Sequence, residues 1–153
     1  MTAPFLSSPA MRLALAEAEA AARRGEVPVG AVVTRADGTV IAAAGNRTLA
    51  DRDPSAHAEL LAIREACRLL GSERLTDCDL HVTLEPCAMC AGLISFARIR
   101  RLYFGAYDAK GGAVEHGARF FGLPTCHHAP EVYGGISEAE AAALLTRFFR
   151  DRR

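Results

Sequence analysis

The first regular pattern along the chain is helical. Apolar residues recur three and four positions apart between Pro9 and Arg24, which is the spacing of one buried helix face. Ser8 stands at the position of an N-cap, and Pro9 occupies the first helical position. Gly25 follows the pattern and can adopt the left-handed conformation that ends helices. The pattern therefore predicts a first helix over residues 9–24.

Two strands are predicted next. Val29 to Thr34 is a β-branched run, and Thr39 to Ala43 is a second short apolar run. Asp37-Gly38 lies between them and is a strong tight-turn signal. The segment is therefore predicted to form a β-hairpin, followed by a loop over residues 45–56.

The rest of the chain alternates between helical and strand patterns. Helices are predicted over 57–70, 86–96 and from 137 toward 153, and strands over 79–84, 99–104 and, more weakly, 131–136. Ser137 and Glu140 have the spacing of a capping box at the start of the last helix, and residues 105–117 form a glycine-rich loop. This alternation predicts an α/β sandwich.

The chain length and composition are consistent with one domain over residues 1–153. Half of the residues are apolar, which is enough for a core without disulfide support. No apolar stretch is long enough for a membrane span, and the first residues lack the layout of a secretory signal. Five cysteines make an odd number, which argues against a disulfide framework. We therefore expect a cytoplasmic protein with no membrane partner.

The charges narrow the possible partners. The chain carries 18 basic and 18 acidic residues, whereas general nucleic-acid-binding domains tend to be strongly basic. Arginines cluster at residues 98–101 and 147–153. Such runs are usually solvated surface, so any contact with RNA would depend on a local patch.

The strongest chemical signal is Pro86-Cys87-Ala88-Met89-Cys90. Cysteines three apart on a helix share a face, and the N-terminal end of a helix favours the thiolate form that binds metals. Two alternatives remain open, a redox pair and a structural zinc site with four protein ligands. The candidates for that fourth ligand are Cys78, His81, Cys126, His127 and His128.

His57-Ala58-Glu59 at the start of the second predicted helix complements the cysteines. One histidine and two cysteines leave a fourth zinc position open for water, and zinc lowers the pKa of such a water to about 7. Glu59 could then transfer the protons. Residues two apart do not share a helix face, so Glu59 must lie in a first turn or approach the ion from another side.

These motifs resemble the cytidine deaminase-like superfamily, whose zinc signature is H-x-E followed by P-C-x-x-C. Further segments are similar to one branch, the bacterial tRNA-specific adenosine deaminases. They are Val27–Ala31, Gly45–Arg47, Asp53–Glu59, Val82–Gly92, Gly105–Lys110 and Phe148–Arg150.

The resemblance implies a three-layer α/β/α sandwich around a mixed five-stranded sheet, and a homodimer. It also implies Zn²⁺ as the cofactor and hydrolytic deamination of adenosine to inosine at the wobble position of a tRNA anticodon. The expected partner is the anticodon stem-loop of an arginine-decoding tRNA.

The resemblance also assigns roles to individual residues. His57, Cys87 and Cys90 match the zinc ligands, and Glu59 matches the proton shuttle. Asn46 matches a residue that contacts the flipped base.

Further substrate contacts are expected around the pocket. Val29 and the backbone of Ala58 match the pocket wall, and the loop with Asp108 and Lys110 matches one beside the anticodon. Phe149 could stack on a base, although aromatic residues of a terminal helix more often belong to the core. The segment 111–128 departs from the family pattern.

Two other functions remain open from the sequence. A deaminase of free guanine, cytosine or cytidine would use the same zinc ligands. A non-catalytic RNA-binding module would need a structural zinc site with four protein ligands.

Overall fold

Five strands form one mixed sheet in the computed structural model, which describes residues 8–152. Four α-helices and one 3-10 helix complete the secondary structure of these described residues. In chain order, the elements are α1 (Pro9–Arg23), β1 (Gly30–Arg35), β2 (Val40–Gly45), α2 (Ala58–Leu70), β3 (Cys78–Leu84), α3 (Ala88–Phe96), β4 (Arg101–Ala106), the 3-10 helix (Phe120–Gly122), β5 (Glu131–Tyr133) and α4 (Glu138–Arg150).

The strand order is β2-β1-β3-β4-β5. β1 pairs antiparallel with both β2 and β3, whereas β3, β4 and β5 run parallel. Helix α3 makes the crossover between β3 and β4, as parallel neighbours require. The carboxyl end of β3 therefore leads directly into the cysteine motif, at the edge where ligands bind in open α/β sheets.

The helices cover both faces of the sheet. α2 and α3 pack on one face with residues such as Val33, Leu80 and Phe104, while α1 and α4 pack on the other with Val32 and Tyr103. Successive strand residues point to opposite faces, so each buried strand contributes side chains to the cores on both faces of the sheet. The predicted three-layer α/β/α sandwich with a mixed five-stranded sheet is confirmed.

The predicted ends of α1 and α2 agree with the structure, whereas α3 begins at Ala88 and not at the predicted residue 86, because Cys87 is its N-cap. The Ser8 side chain accepts a hydrogen bond from the Met11 N–H at 3.0 Å. Gly25 and Gly71 adopt positive φ angles of 88° and 64° just after α1 and α2. The last helix is predicted to run toward Arg153, and in the structure α4 ends at Arg150. Arg153 lies outside the described residues.

Two local predictions were wrong. Ser137 adopts a left-handed conformation with φ 54° and makes no side-chain capping bond to α4, so the capping box does not form, and Glu140 instead pairs with Arg12 at 2.8 Å. Gly105 lies in β4 and not in a loop. A Cβ there would lie 2.6 Å from the Thr83 carbonyl oxygen, so glycine lets the backbone pack closely at this point.

No helix among the described residues is long and apolar enough to cross a membrane.

Candidate active site

Three candidate metal ligands converge at the carboxyl end of β3. The sulfurs of Cys87 and Cys90 each lie 3.6 Å from Nδ1 of His57. All three donor atoms lie within 4.8 Å of one another. His57 and Cys87 are half-buried and Cys90 is buried, so the cluster opens to one side.

Two helix starts bring these residues together. His57 is the N-cap of α2 and Cys87 is the N-cap of α3, both with extended backbones. Cys90 follows in the first turn of α3. The N–H groups and the dipole at the start of α3 therefore favour negative charge on the sulfur of Cys87.

The position of Glu59 follows from the same arrangement. Because His57 stands outside the helix as its N-cap, Glu59 belongs to the first turn of α2 and can approach the cluster from a different direction. Residues two apart then need not share a helix face. A spacing of two residues is therefore compatible with both side chains approaching one metal site.

The donor set fits zinc. Tetrahedral zinc with Zn–N near 2.1 Å and Zn–S near 2.3 Å places nitrogen and sulfur donors about 3.6 Å apart. The two measured nitrogen–sulfur distances have this value. Among the described residues, the cluster that could hold a metal consists of His57, Cys87 and Cys90, so three protein donors leave a fourth position for water or substrate.

The site also shifts the pKa values of its groups. The hydrogen bond with Cys90, and then that with His57, lower the pKa of Cys87 to about 4. The Cys90 thiol, which donates to Cys87 and is buried, has a raised pKa. The hydrogen bond with Cys87 raises the pKa of His57. Cys87 is therefore ready to bind a cation as a thiolate.

Glu59 has the properties of a proton-transfer group. Its side chain is buried, and burial raises its pKa to about 7. A group with a pKa near the operating pH can both accept and donate a proton. The described site thus combines an open metal position with a neighbouring acid–base residue.

A pocket of about 280 Å³ leads to these groups. Val29 and Asn46 line it together with His57, Glu59 and Cys87. The structure therefore places three of the predicted substrate-binding residues, Val29, Asn46 and Asp108, in the pocket with the candidate ligands.

Asn46 links the pocket to α2. Its Oδ1 accepts the Ala58 N–H at 2.8 Å, while the His57 N-cap makes no side-chain capping bond of its own. Asn46 thus takes over the capping role from a distance in sequence. The Ala58 N–H is already engaged in this bond, and Ala58 itself is fully buried, so it does not line the pocket.

A larger cavity of about 940 Å³ adjoins the pocket. The two share Asp108 and Gly111 as lining residues. Lys110 and Phe149 line the larger cavity. Phe149 is half exposed, whereas its neighbour Phe148 is buried in the core, so only Phe149 is accessible to a ligand.

The other candidate fourth ligands lie elsewhere. The Cys78 thiol donates a hydrogen bond to the Asp77 carboxylate, and the His81 ring stacks on Tyr103. The Cys126 thiol donates to the backbone oxygen of His128. These side chains and His127, which lines a separate groove, are not part of the ligand cluster.

Two buried carboxylates near the pocket, Glu26 and Glu85, are not predicted as functional residues from the sequence. Glu26 accepts the N–H of Ala50 at 2.9 Å and that of Leu49 at 3.3 Å. Glu85 accepts several N–H groups from the glycine-rich loop; burial opposes its charge, but these hydrogen bonds hold its pKa below the usual range. Glu85 directly precedes Pro86 at a strand end, and that placement was the available signal.

Comparisons with known proteins agree with this geometry. Residues 7–106 match the family model of the cytidine and deoxycytidylate deaminase zinc-binding region. The tRNA-specific adenosine deaminase of Agrobacterium fabrum is 62% identical over 94% of this chain and 93% of that protein. The predicted Zn²⁺ cofactor is thereby confirmed by the family model and by the donor cluster.

Solved structures show the same fold. One, from a study of A-to-I editing by tRNA:A34 deaminases at the wobble position of transfer RNA, is 62% identical with a TM-score of 0.87, and the match covers 89% of this chain and 98% of the other. A guanine deaminase from Nitrosomonas europaea is 26% identical with a TM-score of 0.75, over 94% and 85% of the two chains.

Proposed function

The chain belongs to the tRNA-specific adenosine deaminases of the zinc-binding cytidine and deoxycytidylate deaminase family, and from this premise we propose how its residues carry out the reaction. The reaction is hydrolytic deamination of adenosine to inosine at the wobble position of a tRNA anticodon. The single observation that carries the assignment of residues is the three-donor cluster beside the buried carboxyl group of Glu59.

His57, Cys87 and Cys90 hold the zinc in this proposal. When bound, zinc lowers the pKa of a coordinated water to about 7 and so supplies hydroxide at neutral pH. Glu59 takes one proton from the attacking water and gives it to the purine ring nitrogen; once the oxygen is bonded to C6, Glu59 takes its second proton and gives it to the amino group, so that the C6–N bond breaks and ammonia leaves. Its raised pKa suits it to both directions of transfer.

The pocket binds the flipped base. Asn46 uses its Oδ1 to cap α2, which leaves its amide NH₂ to contact the base. Val29 forms an apolar part of the wall. The pocket of about 280 Å³ is suited to a single base, so the target nucleotide must leave its stack.

The adjoining cavity holds the RNA around the target. Lys110 offers a positive charge there, and Phe149 offers an aromatic face. Asp108 stands where the cavity meets the pocket. Stacking and charge together are the usual means of binding single-stranded RNA.

The other functions are less well supported. A guanine deaminase shares the fold at 26% identity, whereas a tRNA-specific adenosine deaminase is 62% identical along nearly the whole chain. A structural zinc site needs a fourth protein ligand, and the cluster of described residues contains three.

The deciding experiment is a direct assay. Purified protein is incubated with an anticodon stem-loop that carries adenosine at the wobble position, and inosine is measured. The matched substrates are the same stem-loop with guanosine at that position, free guanine and free cytidine. Inosine is expected from the first substrate. Turnover of free guanine or cytidine without action on the stem-loop would instead favour a deaminase of free bases or nucleosides.

Three finer assignments belong to this proposal. The natural substrate is an arginine-decoding tRNA, which a comparison of stem-loops from different tRNAs tests. The protein acts in the cytoplasm, where its free cysteines remain reduced. It is a homodimer that buries the exposed side of α3, where Phe96 is 75% exposed.

A further inference from the structure

The loop between β4 and the 3-10 helix is held by one buried carboxylate. Glu85 follows β3 directly, and only 2% of its surface is exposed. Its Oε1 accepts the Asp108 N–H at 3.0 Å. Its Oε2 accepts the N–H groups of Val114, Glu115 and His116 at 3.2, 2.8 and 3.1 Å.

A side chain completes this set of donors. Nδ1 of His116 lies 2.8 Å from Oε1 of Glu85. The carboxylate therefore has five hydrogen-bonding partners, all from residues 108–116. A buried charge requires such partners, so the loop and the carboxylate depend on each other.

The loop backbone is shaped to fit the carboxylate. A Cβ at Gly112 would lie 2.5 Å from Oε2 of Glu85 and 2.5 Å from the Asp108 carbonyl oxygen. Glycine is thus required where the loop passes over the carboxyl group. The Ala113 N–H also bonds to the Pro86 carbonyl oxygen at 2.9 Å, which ties the loop to the turn before Cys87.

This loop forms the wall of the substrate cleft. Asp108 and Gly111 line both the small pocket and the larger cavity. Glu85 also borders the small pocket, but it does not belong to the metal cluster, and both oxygens of its carboxylate are engaged by the loop. Its carboxylate therefore acts on the substrate cleft through the position of the loop.

We propose that Glu85 is a positioning residue for substrate binding, because its carboxylate gathers the N–H groups of residues 108–116 and so holds Asp108 and Gly111 in the cleft wall. The proposal rests on the proposed function for its kinetic consequence. It also predicts a property of the loop that is independent of any activity.

The test variant is Glu85→Gln, which keeps the size of the side chain but places an NH₂ group against existing N–H donors. With the zinc-loaded protein and the wobble-adenosine stem-loop, KM should rise about tenfold and kcat should stay within about threefold. Zinc content should remain near one per chain. Glu85→Asp, which keeps the charge, should give a smaller rise in KM.

Asp79→Asn is the matched control. Asp79 is also a buried carboxylate on β3, but it lies at the other end of the strand and pairs with Arg100 at 2.9 and 2.8 Å. This variant should lose stability without a change in KM. His116→Ala removes one partly exposed partner and should raise KM by only about twofold to threefold, so it serves if Glu85→Gln fails to fold.

Hydrogen exchange provides the second readout. Amides of residues 108–116 should exchange about tenfold faster in Glu85→Gln than in the wild type. In Asp79→Asn their exchange rates should equal those of the wild type. Unchanged exchange in this loop, or an equal rise in KM for Asp79→Asn, would overturn the proposal. If wild-type protein leaves the stem-loop unmodified, the proposed function fails, whereas the exchange result still decides the role of Glu85.

Discussion

At the scale of single residues, the backbone conformation of His57 determines the chemistry of the site. An extended N-cap directs the imidazole toward the two sulfurs, while the next turn places Glu59 in a buried position. His57 and Glu59, which are two positions apart in sequence, therefore take separate places in the site. Burial then raises the pKa of Glu59 to about 7, which suits it to the proposed proton transfer.

Glu59→Gln should retain about one zinc per chain and lose roughly 10²-fold or more in kcat, because an amide cannot transfer the protons. Metal analysis and the stem-loop assay measure the two quantities. Cys87→Ala is the complementary variant and should lose zinc as well as activity, whereas Cys67→Ala, outside the cluster, should keep both. Full turnover by Glu59→Gln would remove Glu59 from the mechanism.

At the scale of secondary-structure elements, three aromatic rings connect neighbouring strands. His81 on β3 stacks on Tyr103 of β4 at 4.8 Å, and Tyr103 stacks on Tyr133 of β5 at 5.2 Å. His81 is buried, and its Nδ1 has no hydrogen-bond partner among the described residues. Burial therefore lowers the pKa of His81 to about 4.

This pKa predicts how stability depends on pH. Below its ordinary pKa of 6.5, His81 is protonated in the unfolded chain but stays neutral in the folded protein. As the pH falls from 7.5 to 4, proton uptake by His81 in the unfolded chain should therefore reduce the free energy of unfolding by about 3 kcal/mol.

Urea unfolding of wild-type protein and His81→Phe at several pH values measures this contribution. The variant keeps a stacked ring without a titrating group, so its curve should be flatter by that amount. Zinc loss in acid affects both proteins alike and cancels in the difference. Parallel curves would mean that His81 titrates normally.

Helix α4 lies close to the sheet because of a glycine on β4. A Cβ at Gly105 would lie 2.6 Å from the Thr83 carbonyl oxygen and 3.0 Å from Cβ of Ala141. Gly105→Ala should reduce the free energy of unfolding by about 2 kcal/mol. Gly122→Ala, where a Cβ would meet open space, should change it by less than about 0.5 kcal/mol; equal losses would contradict the packing argument.

At the scale of the whole molecule, α3 joins the metal site to an exposed apolar surface. Cys90 on this helix is buried, whereas Met89 and Phe96 are exposed. A groove of about 600 Å³ lies beside Phe96 and is also lined by Phe120. An exposed apolar patch of this kind is typical of a protein–protein interface.

If this surface forms the proposed homodimer, Phe96→Asp should produce monomers. Light scattering should give a mass near 16.3 kDa for the variant and about twice that for the wild type. Val40→Asp changes an exposed apolar residue on β2 and should leave the dimer intact. A wild-type monomer at micromolar concentration would refute the dimer.

Local patterns along the chain were sufficient to predict most elements. The helices α1 and α2 and the hairpin of β1 and β2 follow from apolar spacing, caps and one turn dipeptide, all of which act between neighbours in sequence. The proposed zinc ligands His57, Cys87 and Cys90 are predicted from residue type, spacing and the resemblance to the deaminase signature. The helices and the hairpin need no knowledge of distant parts of the chain, whereas the contact of His57 with cysteines 30 and 33 residues away depends on the tertiary structure.

Only the tertiary structure decided the features that join distant segments. Ser137 does not cap its helix, Gly105 packs within a strand, and Asn46 caps α2 from 12 residues away. Glu85 meets residues 108–116 because β3 and β4 are paired. Hydrogen bonds and close packing between such segments depend on the arrangement of the sheet, which local preferences along the chain do not encode.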